Sequence, residues 1–190
     1  MLALESETDR TLSRANPLDA LVAQTQGLIG YWLVQGLANA GVTKPLVSLV
    51  TQVRVSADDL ALALPTKFVG AVYSQALAQE LADHRGWTVA ADGSNWRRVV
   101  PSPEPPGIEE LETIEALLRR GSIVVCGGGG GAPVVLDQGQ LRGVEVVVDK
   151  DLVASPLATG VQADLLIVLT DVAGVMRDVE GRPSRQGHAG

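Results

Sequence analysis

Apolar residues recur at helical spacing across residues 17–40, which predicts a first long helix. The apolar members are Leu18, Leu21, Val22, Leu28, Ile29, Trp32, Leu33 and Leu37. Asn16 is a start signal before this helix, and Gly41 is a stop signal after it. Gly27 and Gly30 lie inside the helix, where each costs about 1 kcal/mol relative to alanine. They indicate close approach of another backbone, from either a neighbouring element or a second subunit.

Continuous apolar runs at residues 45–55, 123–125 and 163–175 predict buried strands, and residues 133–148 predict two more around a turn at Gly139. Amphipathic or capped segments predict helices at 108–121 and between Asp151 and Gly160. Pro156 falls inside the second of these. Either Asp151 caps that helix and the proline removes an early hydrogen bond, or the helix restarts with Ser155 as its cap. Strands that alternate with helices indicate an α/β fold with a largely parallel sheet.

Residues from about 52 to 102 are predicted to form a small α+β insertion between two larger α/β pieces. Ser74 is the expected cap of a helix that ends at Gly86, and an Asp92-Gly93 turn joins two strands. The proline-rich stretch "PSPEPPG" closes the insertion. Residues 178–190 have no apolar periodicity and are expected to form a loose tail.

Composition narrows the functional classes. A chain of 190 residues with 46% hydrophobic residues suffices for one well-cored domain. The net charge of -7 and the 3% aromatic content argue against a nucleic-acid partner. The acidic amino-terminal stretch lacks a signal peptide's basic region, and no apolar run approaches the roughly 18 residues of a membrane span. We therefore expect a cytoplasmic protein that does not enter a membrane. Cys126 is the single cysteine, and we interpret it as a structural thiol.

Five successive glycines, at residues 127–131, follow an apolar run. Gly127, Gly129 and Ala132 formally fit a dinucleotide fingerprint, with Asp149 about 20 residues further on. That fingerprint must open a helix, whereas Pro133 here begins a strand-like run, so an NAD-binding protein is not supported. The favoured interpretation is a loop whose bare N–H groups line an anion site. The alternative is a tight turn that needs positive φ, although a turn rarely needs more than two glycines.

The sequence contains only three lysines: Lys44, Lys67 and Lys150. A lysine is a compact charge on a flexible stem, which suits a migrating phosphoryl group. Lys150 lies between Asp149 and Asp151 at a strand-to-helix junction, where an aspartate can orient lysines that neutralise transferring oxygens. A solvated Asp-Lys-Asp triplet explains this spacing equally well.

A last polar pair, Thr170 and Asp171, ends the apolar run of residues 163–175. The carboxyl ends of strands form the ligand-facing edge of an open α/β sheet, so the pair is a candidate ligand contact. Simple capping of the strand end accounts for it at least as well.

Taken together and in this order, several segments resemble the carbamate kinases of the amino acid kinase superfamily. They are "NPLDALVAQTQGLIGY", "VTQVRVSADD", "PTKFVGAVY", "WRRVVPSPEP", "GGGGAPVV", "VEVVVDKDL" and "LTDVAGV". The resemblance implies a three-layer α/β/α sandwich around a mainly parallel sheet, with a small protruding subdomain. It also implies a homodimer that transfers phosphoryl between ATP and carbamate, in arginine catabolism from carbamoyl phosphate and ADP toward ATP. ATP or ADP with Mg²⁺ would be the nucleotide partner.

The same resemblance implies roles for individual residues. Lys67 would be a subdomain lysine that reaches the carbamoyl phosphate, Lys150 would stabilise the transferring phosphoryl group, and Asp151 would organise Lys150. The substrate and phosphate region would be lined by Gly128, Gly129, Gly130 and Gly131. The nucleotide would be bordered by Thr170, Asp171, Gly174 and Val175.

The resemblance also carries departures. Family members begin with a strand and a Gly-Gly-Asn phosphate loop, and they continue beyond the equivalent of Asp178. We therefore expect residues 1–190 to be a partial kinase domain, truncated at both ends, with impaired activity. The alternative is a catalytically inactive fragment that dimerises through the Gly27/Gly30 helix or binds ligand weakly.

Overall fold

The structure is a computed structural model that describes residues 16–170, 176–179 and 182–185. Within these residues the helices are α1 (Leu18–Asn39), α2 (Gln75–Arg85), α3 (Leu111–Arg119) and α4 (Lys150–Gly160). The strands are β1 (Leu46–Ser48), β2 (Gln52–Arg54), β3 (Lys67–Tyr73), β4 (Thr88–Asp92), β5 (Asn95–Val100), β6 (Gly107–Ile108), β7 (Ile123–Val125), β8 (Ala132–Asp137), β9 (Gln140–Gly143), β10 (Met176–Val179) and β11 (Arg182–Arg185). Helices and strands alternate, so the expected α/β class is confirmed.

The main body is built on two parallel strand pairs. β1 pairs with β7, and β2 pairs with β8 in a four-stranded sheet of order β6-β2-β8-β9. β6 and β9 run antiparallel to their neighbours, so the sheet is mixed. Residues 45–55, expected as one strand, form β1 and β2 with a break between them. The strands that pair with β1 and β2 are interrupted at the same position, because the glycine segment separates β7 from β8.

A separate antiparallel sheet, of order β3-β5-β4, forms the insertion together with α2. The expected local signals are confirmed there: the Ser74 hydroxyl accepts a hydrogen bond from the N–H of Leu77, and Gly86 ends α2 with φ of 67°. Gln52–Arg54 pairs with β8, and Val53 is fully buried in the main core, so these three residues belong to the sheet of the main body.

Three apolar clusters hold these parts together. The largest combines Val53 of β2 with Ile114 of α3 and Val153 of α4. A second joins Leu18 and Leu21 of α1 to Val69 and Val100 of the insertion, and it includes Val147 of the segment before α4. The third, which lies inside the insertion, consists of Tyr73, Ala78 and Leu81 and their neighbours. The insertion therefore packs against α1 and against the segment that leads into α4.

Two apolar stretches of the predicted strands form no strand in the described part of the chain, although the second strand predicted within residues 133–148 is present in part as β9. Residues 163–170 are assigned to no strand there, and their apolar side chains are exposed; these are Leu165, Leu166, Ile167, Val168 and Leu169. Residues 146–149 are likewise outside any strand, although Val146 and Val148 are buried. Apolar β-type composition is insufficient by itself, because a strand exists only where a neighbour completes its hydrogen bonds.

Of the expected loose tail at residues 178–190, the structure describes residues 178–179 and 182–185, and the rest lies outside the described residues. Met176–Val179 pairs antiparallel with Arg182–Arg185, so the backbone there forms a hairpin. A hairpin ladder is local and needs no apolar periodicity, which is why the pattern missed it.

Helix α1 answers the question raised by its internal glycines. A side chain at Gly30 would overlap the Ser48 side chain on β1, whereas Gly27 has no neighbour within 4 Å of its would-be Cβ. Close approach is therefore real at Gly30, but the neighbour there is a side chain of the same chain. Asn16 is not the cap; Pro17 occupies the N-cap position without a side-chain hydrogen bond. No helix among the described residues has both the length and the apolarity to cross a membrane.

Candidate active site

The glycine segment forms a tight loop between β7 and β8. Gly127, Gly129, Gly130 and Gly131 all have positive φ, between 66° and 97°. A side chain at Gly130 would overlap the carbonyl oxygen of Val148, and one at Gly131 would overlap the Val53 side chain. The alternative interpretation, a tight turn that needs positive φ, therefore accounts for four of the five glycines, although a turn rarely needs more than two. Four residues must take a conformation that side chains disfavour.

The loop also keeps hydrogen-bond donors available. Gly130 donates to the carbonyl of Gly127 at 3.0 Å, and Gly131 donates to that of Gly128 at 3.2 Å. The N–H groups of Gly128 and Gly129 donate to none of the described residues. Space beside Gly129 is open, since no described atom lies within 4 Å of its would-be Cβ. Two neighbouring N–H groups are thus free to meet an anionic acceptor.

Two buried polar residues hold the loop in place. The Thr51 hydroxyl accepts a hydrogen bond from the N–H of Gly127 at 2.9 Å. The side-chain amide of Gln26, on α1, makes two hydrogen bonds with the backbone of Thr51. Gln26 Nε2 donates to the carbonyl of Thr51 at 3.1 Å, and Gln26 Oε1 accepts from the N–H of Thr51 at 3.0 Å. The sequence analysis missed both residues. A glutamine on the buried side of an apolar helix was the available signal, because buried amides need partners.

Helix α4 begins beside the glycine loop. Asp149 is its N-cap, and Asp149 Oδ1 accepts a hydrogen bond from the N–H of Asp151 at 2.9 Å. Neither alternative from the sequence is correct: the helix starts before Asp151 and runs through Pro156 without restarting at Ser155. The cap sits where Gly130 packs against Val148, so the glycine loop and the start of α4 are adjacent.

The lysine of the insertion, the protruding subdomain, reaches the start of α4. Lys67, the first residue of β3, forms an ion pair with Asp149 Oδ2, although the two residues are 82 positions apart. This hydrogen bond is the main reason that the pKa of Asp149 lies below its ordinary value, and the bond from the N–H of Asp151 adds to the effect. The sequence analysis recognised Lys67 and named Asp149 as an aspartate beside Lys150 that could orient lysines, but it did not predict that Asp149 pairs with Lys67. Its position one residue before Lys150, at a helix start, was the signal.

Lys150 and Asp151 occupy the first turn of α4. Lys150 Nζ lies 3.4 Å from Asp151 Oδ1, and their side chains are 69% and 58% exposed. A pair this exposed contributes little to stability, so Lys150 is free to turn toward a ligand. Beside Asp151, a groove of ≈ 500 Å³ runs between α4 and the proline-rich segment at Glu104 and Pro105.

The proposed nucleotide contacts are only partly described. Thr170 is exposed and lies outside any strand. Asp171, Gly174 and Val175 lie outside the described residues.

The site therefore joins a bare loop and a helix start to two ammonium groups. The free N–H groups of Gly128 and Gly129, the N-terminal end of α4, Lys67 and Lys150 all favour negative charge. Such a set can hold phosphate oxygens and neutralise charge that develops during phosphoryl transfer. The described residues contain no group of three His, Cys, Asp or Glu side chains that could hold a metal ion.

Comparison with known proteins gives consistent matches. The amino acid kinase family matches residues 6–184. Carbamate kinase from Pyrococcus furiosus is 48% identical over 165 residues, which cover 84% of this chain and 52% of that protein. Carbamate kinase from Rhizobium meliloti is 44% identical over 190 residues, covering 98% of this chain and 58% of its own length.

A solved structure extends the similarity to the fold. Carbamate kinase from Giardia lamblia bound to AMP-PNP superposes with a TM-score of 0.80 and 34% identity, covering 92% of this chain and 57% of that one. The α/β arrangement thus matches the fold of these kinases. The chain spans about half the length of the curated relatives it matches.

Proposed function

Since the chain belongs to the amino acid kinase family, we propose that it takes part in carbamate kinase chemistry, the transfer of a phosphoryl group between ATP and carbamate. In the catabolic direction carbamoyl phosphate and ADP give ATP and carbamate. One observation carries the proposal: Lys67, the Lys150–Asp151 pair and the glycine loop meet at the start of α4. No single pattern in the sequence required that meeting.

Each group has a specific task in the proposed reaction. Phosphoryl transfer needs little covalent chemistry from the protein, so positioning and charge neutralisation dominate. The N–H groups of Gly128 and Gly129 would bind oxygens of the phosphate, and Lys67 would reach it from the subdomain. Lys150 would follow the phosphoryl group as it moves between the two oxygens, because its stem is exposed and flexible. Asp151 would keep that ammonium near the site.

The nucleotide would lie next to the end of the apolar run at residues 163–170. We assign its contacts to Thr170, Asp171, Gly174 and Val175, the positions that match the family pattern. The Giardia lamblia relative bound to AMP-PNP supports nucleotide use. We propose that Mg²⁺ enters with the nucleotide phosphates as part of the substrate.

A coupled assay of ATP formation from carbamoyl phosphate and ADP tests the function. The Lys150→Ala variant should lose roughly 10²-fold or more of the rate, because a charge that stabilises the transferring group is removed. Lys44→Ala is the matched control, since Lys44 is an exposed lysine far along the chain from the site. Equal rates for wild type and Lys150→Ala, both at background, would refute the catalytic proposal.

A second candidate function is a non-catalytic module that binds ligand weakly or dimerises. It is favoured by exposed apolar side chains on α1 such as Tyr31 and Trp32. Nucleotide or phosphate binding without turnover would identify this alternative.

We further propose a cytoplasmic homodimer that acts in arginine catabolism. The family resemblance supports the assembly and the pathway, and the exposed apolar side of α1 offers a surface for a second subunit. Cys126, a free thiol, suits a reducing compartment.

A further inference from the structure

Asp149 serves two different elements with its two carboxylate oxygens. Oδ1 accepts the hydrogen bond from the N–H of Asp151 and so starts α4. Oδ2 accepts the hydrogen bond from Lys67 Nζ, which belongs to the subdomain. The residue that begins the helix carrying Lys150 therefore also fixes the position of the other lysine.

A simple tether between subdomain and body would not require this pair. Arg98 of β5 already binds Glu145 at 2.6 Å, and the Arg98 side chain is almost fully buried. The N–H of Val147 also donates to the carbonyl of Pro101 at 3.1 Å. These contacts dock the subdomain on the same segment, just before Asp149. By contrast, the Lys67 and Asp149 side chains are each about one-third exposed, at 35% and 33%.

We propose that Asp149 is a positioning residue, which holds the Lys67 ammonium at the start of α4 and presents it to the phosphate of the substrate. The inference rests on the proposed function and deepens it. An ammonium has three N–H donors, and one bond to Asp149 leaves two for phosphate oxygens. A lysine already fixed in direction loses less freedom when the ligand binds.

The direction in which phosphate affinity changes when the charge of Asp149 is removed distinguishes a positioning role from simple repulsion. Asp149→Asn keeps a side-chain oxygen that can cap α4, but it removes the charge that orients Lys67. If Asp149 only adds negative charge near an anion site, the variant should bind phosphate more tightly, since repulsion is removed. If Asp149 positions Lys67, the variant should bind phosphate more weakly.

Because the chain has few lysines, phosphate binding can be followed at each lysine side chain separately. The chain has only Lys44, Lys67 and Lys150, so ¹³C-labelled lysine gives three side-chain signals that Lys→Arg variants assign. Titration with inorganic phosphate should shift the Lys67 signal in a saturable way. In Asp149→Asn the half-saturating concentration should rise about threefold, the effect of a partly exposed ion pair.

Two further variants keep the test specific. Glu145→Gln, which removes the carboxylate that pairs with Arg98 of the subdomain, should titrate like wild type. Asp149→Glu, which restores the charge, should recover most of the affinity. An unresponsive Lys67 signal in wild type, unchanged or tighter binding in Asp149→Asn, or identical behaviour of the Asn and Glu variants would overturn the inference.

The titration needs no turnover, so its outcome is separate from that of the kinase assay. A chain that forms ATP while Asp149→Asn binds phosphate like wild type would refute the role of Asp149 alone. A chain that forms no ATP while the lysine titration behaves as expected would refute the proposed reaction alone.

Discussion

Single side chains join parts of this molecule that are far apart in sequence. Asp149 links the subdomain to α4 through Lys67, and Gln26 links α1 to the glycine loop through Thr51. Gln26 and Thr51 are almost completely buried, at 4% and 0% exposure. A buried amide or hydroxyl costs free energy unless its hydrogen bonds are made, so each of these residues specifies one arrangement of its neighbours.

The ion pair of Asp149 gives a prediction about stability and pH. Its pKa is lower in the folded chain than in the unfolded chain, chiefly because of Lys67. The pair therefore stabilises the fold above the unfolded pKa of about 4, and this contribution disappears as pH falls through the folded value. Urea unfolding should show wild type more stable than Asp149→Asn at pH 7, by about 1 kcal/mol or less after solvent screening.

The comparison has an internal control. As pH falls through the lowered pKa of folded Asp149, the difference between wild type and Asp149→Asn should shrink toward zero. In a Lys67→Met background the difference should be small at every pH, because the ammonium is gone. A difference that is independent of pH would mean that Asp149 acts through helix capping alone.

At the scale of elements, the glycine loop shows why this chain gives up side chains between β7 and β8. Thr51 and Gln26 fix one end of the loop, and Gly130 packs directly on the carbonyl of Val148 before α4. Positive φ and close packing act together at Gly130, whereas Gly129 has positive φ and open space. The loop therefore packs closely against the segment before α4 at Gly130, and it leaves open space beside the N–H groups at Gly129.

This difference predicts unequal effects of two alanine substitutions. Gly129→Ala should cost about 1–2 kcal/mol of unfolding free energy, the penalty for a side chain in the left-handed region. Gly130→Ala should cost more, on the order of 3 kcal/mol or higher, because the new Cβ also overlaps the carbonyl of Val148. Denaturant unfolding of both variants measures the order. Equal costs would contradict the packing described here.

For the molecule as a whole, the notable feature is the apolar surface that remains exposed. One side of α1 presents Ile29, Trp32 and Leu33 to solvent, and the run Leu165–Leu169 is exposed without a ladder among the described residues. Contiguous apolar surface of this kind is rare on monomers and marks a contact surface.

The proposed homodimer gives the prediction at this scale. Trp32→Glu should shift the chain from dimer toward monomer in light-scattering measurements across a concentration series, because a charge is placed in the apolar side of α1. Leu60→Glu is the matched control, since Leu60 is an exposed apolar residue of the subdomain's leading turn. A monomeric wild type, or equal dissociation by both variants, would contradict dimerisation through α1.

The sequence alone determined the features that depend on near neighbours. The length of α1, the Ser74 cap and Gly86 end of α2, and the turn at Gly93 were predicted because caps, turns and helical periodicity act over a few residues. The resemblance to a kinase family was also readable, since it rests on short segments in order.

Only the tertiary structure decided which distant groups meet. Three features depend on which residues of other elements lie nearby in the folded chain. These are the ion pair of Lys67 with Asp149, the hydrogen bonds of Gln26 to Thr51 and the exposure of Leu165–Leu169. Local composition cannot supply that information: a hydrogen bond, an ion pair or a strand forms only when the fold brings its partner within reach.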